Sequence, residues 1–205
     1  MYIPHFNVMA DADVHDFVAA MGSAEIVTVG ADGVPLATLL PILWSDDGGT
    51  VIAHMARANP HWRAIAPGQP CLAIVAGPQA YISPSWYAAK AEHGRVVPTW
   101  NYSSVHLTGT ATVHDDPAWV RDAVTRLTDR HEQRRDEPWA VTDAPETYVG
   151  KNLKAIVGIE LTVTTVEAKA KLSQNRSAED QAGVAAGLLE DGADPAAGPQ
   201  DTTSR

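Results

Sequence analysis

Cysteine is almost absent from this 205-residue chain, where Cys71 stands alone. A disulfide framework and a CxxC redox pair are therefore excluded. Cys71 sits in Pro-Cys-Leu-Ala-Ile-Val, a run that reads as a buried strand, and apolar burial raises a thiol's pKa, so an inert core residue is expected. Positive charge is also scarce: 15 Lys and Arg face 25 Asp and Glu, for a formal net charge of −10. Nucleic-acid binding depends on neutralising phosphates with Lys and Arg, so direct DNA binding is doubtful on charge. The arginines Arg130, Arg134 and Arg135 share a predicted helix with Asp129, Glu132 and Asp136, which reads as a solvated, salt-bridged face. No apolar run approaches the roughly 20 residues needed to span a bilayer. Met1-Tyr2-Ile3-Pro4-His5-Phe6 lacks the basic and apolar regions of a secretory signal, so a cytoplasmic location is expected. Walker A, G-x-G-x-x-G, H-E-x-x-H and G-x-S-x-G patterns are missing, which removes the common nucleotide-hydrolysing, Rossmann, zinc-protease and α/β-hydrolase readings. The eight histidines show no metal-ligand spacing and the carboxylates form no evident pair; no metal site is expected, and a hydrolase has little support.

What is present reads as mainly β with peripheral helices, an α+β chain of one domain over residues 1–190 with a disordered tail over 191–205. A helix over 13–21, ending at Gly22, would bury Val14, Phe17, Val18 and Met21. Ala24–Val29 and Pro35–Trp44, joined by Gly30-Ala31-Asp32-Gly33, form a predicted hairpin, and Ser45–Gly49 turns the chain into a third strand, Thr50–Ala56. A short helix over 60–66 is followed by Cys71–Ile82, read as a strand buried on both faces, and residues 83–98 as a long loop. Thr99–Val113 alternates: Val105, Leu107, Ala111 and Val113 share one face, and Trp100, Tyr102, Ser104, His106, Thr108 and Thr110 the other. That second face suits a ligand or a subunit interface. Asp116-Pro117 starts a helix to about Arg134, a short helix lies near 144–154, and a last strand, Ala155–Leu172, changes apolar parity near Thr164-Thr165, implying a bulge. Ser177 and Asp180 form a predicted capping box for a final helix to about Leu189.

Two regions carry possible chemistry. In His54-Met55-Ala56-Arg57-Ala58-Asn59-Pro60-His61-Trp62 a strand runs into a helix start, with Asn as N-cap and Pro in the first turn. Free N–H groups, the positive end of the dipole and nearby Arg57 favour an anion such as phosphate, the alternative being an ordinary turn with a solvated arginine. The second region is aromatic and polar: Tyr81 to Tyr87, Pro98 to Tyr102, and Lys171-Leu172-Ser173-Gln174-Asn175-Arg176. Flat rings with polar tips can hold a planar cofactor, or pack a dimer seam.

The blocks MYIPHF at the start, HMARANPHW at 54–62, GPQAYISPSWY at 77–87, VPTWNYSSVHLTG at 97–109 and KLSQNRS at 171–177 resemble the PaiB family. These bacterial proteins are described as FMN-binding negative transcriptional regulators with a flavin-binding split β-barrel. The resemblance runs from Met1 to about Leu189 and implies a homodimer with cofactor sites at the subunit interface. It would give Arg57 and Asn59 the flavin phosphate, set Thr38 and Leu39 beside the isoalloxazine ring, put Trp100 and Tyr102 over a ring face, and close the pocket with Lys171, Gln174 and Arg176. The catalytic residues, if any, stay unassigned.

A branch of the same family resembles piperazate synthase, a haem protein that closes an N–N bond. Haem b is therefore the alternative cofactor, with His61 as the axial ligand adjoining the expected site, ahead of His54 and His106. A flavin-dependent oxidoreductase or such a cyclase is the enzymatic alternative to a cofactor-binding regulator, and a cofactor-free binding module is a third reading.

Overall fold

The computed structural model describes residues 1–200. Six strands, β1 (Ser23–Val29), β2 (Pro35–Trp44), β3 (Thr50–Ala56), β4 (Gln69–Ile82), β5 (Thr99–His114) and β6 (Ile156–Lys171), close into a barrel in the order β1-β2-β3-β6-β5-β4. Among the described residues five α-helices accompany them: α1 (Asp11–Met21), α2 (Ala89–His93), α3 (Pro117–Glu132), α4 (Glu146–Leu153) and α5 (Ala178–Glu190). The residues cluster into two compact units. One holds His15–Val75 and His106–Val166, the other Met1–Val14, Ala76–Val105 and the described residues from Glu167 onward.

In the first unit the β1–β2 hairpin follows its turn sequence, with Asp32 Oδ1 accepting from the Val34 amide at 3.0 Å and a register running from Ser23↔Pro41 to Val29↔Pro35. Alternate residues of a strand share a face, so Ile26, Met55, Val75, Leu107, Val157, Ile159 and Leu161 are all almost fully buried. Cys71 belongs to this set, and burial pushes its thiol up to about 11, as an inert core residue requires. α3 starts at the expected cap: Asp116 accepts from the Trp119 amide at 2.9 Å, and Val120, Ala123 and Leu127 face inward. Trp119 stacks on His114 at 4.0 Å and lies over Gly158, where a Cβ would come within 2.1 Å of Cζ3. Only glycine permits that approach.

The second unit has its own core of Ile82, Tyr87, Val184, Leu188 and Ala197. Trp86 lies against α5 at Gly187, where a Cβ would meet the indole at 2.2 Å. Several expectations are corrected here. Residues 83–98 are not one loop: they contain a 3-10 turn at Pro84–Trp86 and α2. Ser177 does cap α5, accepting from the Asp180 amide at 3.2 Å, but Asp180 accepts from Ala89 N at 3.1 Å, so the reciprocal half of the capping box is spent on α2. The tail expected from 191 includes a 3-10 turn at Pro195–Ala197, whose Ala197 is fully buried; its last five positions, 201–205, lie outside the described residues.

Two strand readings also change. β4 is not buried on both faces: Cys71, Ala73 and Val75 face inward, then Ala80 and Ile82, so the buried parity shifts by one across Gly77-Pro78. An antiparallel barrel leaves one face of each strand outward. In β6 the expected second apolar row does not form, because Val166 is 42% exposed while Lys169, on the other parity, is buried. The Lys169 ammonium finds Tyr2 O at 3.1 Å and the Tyr102 ring at 5.0 Å, which favours burial of the lysine over the valine.

Candidate functional site

The strand exit at residues 56–64 is where local sequence and tertiary contact meet. Asn59 caps a 3-10 turn, Pro60–Ala64, by accepting from the His61 amide at 3.0 Å. The element is thus shorter and tighter than the helix expected over 60–66. Five residues carry little dipole, and the cap occupies the His61 N–H, so the anion argument from a helix start weakens.

In its place stands a side-chain cluster. His61 is 4% exposed and both ring nitrogens are engaged, Nε2 with Thr28 Oγ1 at 2.9 Å and Nδ1 with Thr38 Oγ1 at 2.8 Å. Thr38 also accepts from Asn59 Nδ2 at 3.2 Å. Burial holds the His61 pKa below its ordinary value, so the imidazole is neutral, with one nitrogen donating and the other accepting. Three of the residues expected to meet a cofactor, Thr38, Asn59 and His61, are therefore joined by hydrogen bonds. Leu39, the next residue of β2, points outward and is 61% exposed, in line with the exposed Ala37 and Pro41.

Arg57 is engaged elsewhere. Its guanidinium donates from Nη1 to Asp115 at 3.1 Å and from Nη2 to the other Asp115 oxygen, while Nε donates to Lys154 O at 3.0 Å and Nη2 to Ile156 O at 3.1 Å. The pairing raises the Arg57 pKa and lowers that of Asp115. A phosphate at Arg57 would compete with Asp115.

The other expected residues lie in the second unit. Trp100, half exposed, donates from Nε1 to Gln79 at 3.1 Å and meets Tyr81 edge-on at 6.4 Å. Tyr102 lies under Lys169. Lys171 donates to Thr99 Oγ1 and, at 2.6 Å, to Trp100 O. Gln174 closes its own turn, accepting from Leu172 N at 2.7 Å and donating to Ala170 O. Arg176 lies 4.6 Å from the Tyr87 ring.

Sequence reasoning missed Thr28, Asp115 and Lys169. Thr28 and Asp115 lie 33 and 58 positions from their partners, so no local pattern marks them. Lys169 did carry a signal, since two lysines two apart on a strand share a face.

A family model described as "Putative FMN-binding domain" matches residues 1–165. The chain belongs to this family. In line with the resemblance to PaiB noted above, the chain is 34% identical over 183 residues to "Protease synthase and sporulation protein PAI 2" of Bacillus subtilis, covering 88% of this chain and 85% of that one. Among solved structures, the conserved hypothetical protein Rv2991 of Mycobacterium tuberculosis superposes with a TM-score of 0.61 at 13% identity, over 86% of this chain and 94% of that one. The FAD and heme binding protein of Mycobacterium smegmatis gives 0.60 at 20% identity, over 82% and 74%. The expected split-barrel fold is thereby established. No helix among the described residues is long and apolar enough to cross a membrane.

Proposed function

We propose that this protein binds FMN at the exit of β3 and acts, as a homodimer, as a negative regulator of the PaiB type. The observation that carries the reading is the hydrogen-bonded set Thr38, Asn59 and His61 beside the outward row Ala37, Leu39 and Pro41 of β2. A flavin ring needs polar groups along one edge and apolar surface against its faces, and this pairing of donor set and exposed apolar strand fits that need. The same apolar row supports dimerisation, since contiguous exposed apolar surface marks an interface. Arg57 would take the phosphate by exchanging its carboxylate partner, with Asp115 released to solvent. FMN supplies redox chemistry when bound; the chain's own contribution is to orient the ring and hold a neutral imidazole nearby.

Haem fits His61 less well. An axial histidine needs a free nitrogen, and His61 has both nitrogens bonded to threonines. The freshly purified protein is expected to show a two-banded flavin spectrum, directly or after incubation with FMN. A Soret band that collapses in His61→Ala overturns the flavin reading in favour of haem, and a protein that takes up neither cofactor overturns both. With a net charge of −10, repression is expected to act without tight promoter binding by this chain; a mobility shift at physiological salt would refute that part.

A further inference from the structure

We propose that the second unit contains a site for an oxyanion, a phosphate or phosphate monoester, that takes in Lys171 and Arg176, which the family resemblance gave to the cofactor pocket, and none of Thr38, Asn59 and His61. A cavity of about 330 Å³ in that unit is lined by Lys169, Lys171 and Arg176, with no Asp or Glu among its described lining residues. The cations are poorly matched. Lys169 is 8% exposed and uses one of its three donors, toward Tyr2 O. Among the described residues the Arg176 guanidinium has only the face of Tyr87 as partner. Tyr87 itself is 2% exposed and its hydroxyl makes no hydrogen bond among the described residues.

Burying a charge without a counter-charge is costly, and buried polar groups are as a rule paired. An oxyanion in the cavity would accept from Lys169, Arg176 and the Tyr87 hydroxyl together, and its charge would offset three cations. Nearby Asn101 is fully buried and holds the wall in place, donating to Ser173 Oγ at 3.0 Å and to Ala197 O at 3.0 Å. Burial lowers the Lys171 pKa, with Tyr102 opposing the shift and repulsion from Lys169 and Arg176 adding to it, and a bound anion relieves that repulsion.

The proposal does not rest on the flavin reading, because the probe is inorganic phosphate added to protein without FMN. Titration calorimetry of the full chain should show saturable phosphate binding. Arg176→Gln, which removes a partly exposed side chain, should weaken it at least about tenfold, the loss expected from charge-assisted hydrogen bonds. Lys169→Met, which keeps the buried stem, should do the same, while Lys90→Gln, in the same unit outside the cavity, should not. Absence of phosphate binding by the wild type, or equal binding by Arg176→Gln and Lys169→Met, overturns the proposal. Repeating the titration with FMN and with riboflavin identifies the source: undiminished phosphate binding at saturating FMN supports a separate metabolite, and competition by FMN but not riboflavin overturns the separateness of the site from Thr38, Asn59 and His61.

Discussion

Thr38→Val tests whether the threonine–histidine cluster is a cofactor site or only a piece of fold. Valine keeps the shape of the side chain and removes the hydroxyl, so His61 Nδ1 loses its partner at 2.8 Å and Asn59 Nδ2 loses its acceptor at 3.2 Å. The imidazole is buried, and an unpaired buried polar atom costs about 1–3 kcal/mol. Asn59 is partly exposed and recovers some of its bond from water. A net loss of about 2 kcal/mol follows, equivalent in a chain of this size to about 4–8 °C in Tm. Urea unfolding should show a lower midpoint with an unchanged slope, and the flavin-to-protein ratio after incubation with FMN should fall. Thr38→Ser should restore both. The companion Thr28→Val removes the hydroxyl at Nε2, on a residue that is 2% exposed, and should lower stability while leaving FMN uptake intact. If Thr38→Val unfolds within about 0.5 kcal/mol of the wild type and binds FMN equally well, the cluster is neither structural support nor cofactor site.

Three further outcomes are expected. Arg57→Ala should lose FMN while Asp115→Asn, which removes the competing carboxylate, should keep it; FMN retention by Arg57→Ala would show that the pair only braces the barrel. Burial lowers the pKa values of both His54 and His61, so below about pH 6.5 the unfolded chain takes up protons that the folded one does not, and stability falls as pH falls toward the folded values, by at most about 1.4 kcal/mol per pH unit for each ring. Denaturation at several pH values should show this slope, and an unchanged slope in His54→Gln would remove that residue from the account. Gly158→Ala should cost about 3 kcal/mol by driving Trp119 off β6, with the penalty largely absent in a Trp119→Ala background; additive losses would refute the contact.

Elements set by near neighbours were legible in the sequence. The β1–β2 hairpin, the Asp116 cap of α3 and the Asn59 cap each depend on side chains within a few residues of the backbone they serve, and turn and cap chemistry is local. The grouping of Thr38, Asn59 and His61 was legible only through a resemblance. Thr28 reaches His61 across 33 positions and Asp115 reaches Arg57 across 58, and such pairs depend on barrel closure, which no window of sequence contains. Arg57 was therefore read as free for an anion when its acceptor lay on a distant segment.

The C-terminal end of β6 shows the same limit from the opposite side. In Glu-Ala-Lys-Ala-Lys the apolar count favours burying the alanines and solvating the lysines, and periodicity arguments rest on that preference. The structure buries Lys169 instead, because chain segments from the N-terminus and β5 bring Tyr2 O and the Tyr102 ring to its ammonium. Two partners make a buried lysine tolerable without satisfying it, since among the described residues two of its donors have no acceptor and no carboxylate is paired with it. A sequence departs from its hydrophobic pattern at a cost, and such departures are expected where a site requires them. The departure at Lys169, on the same strand face as Lys171 and beside Arg176, is thus the strongest physical reason to look for an anion there.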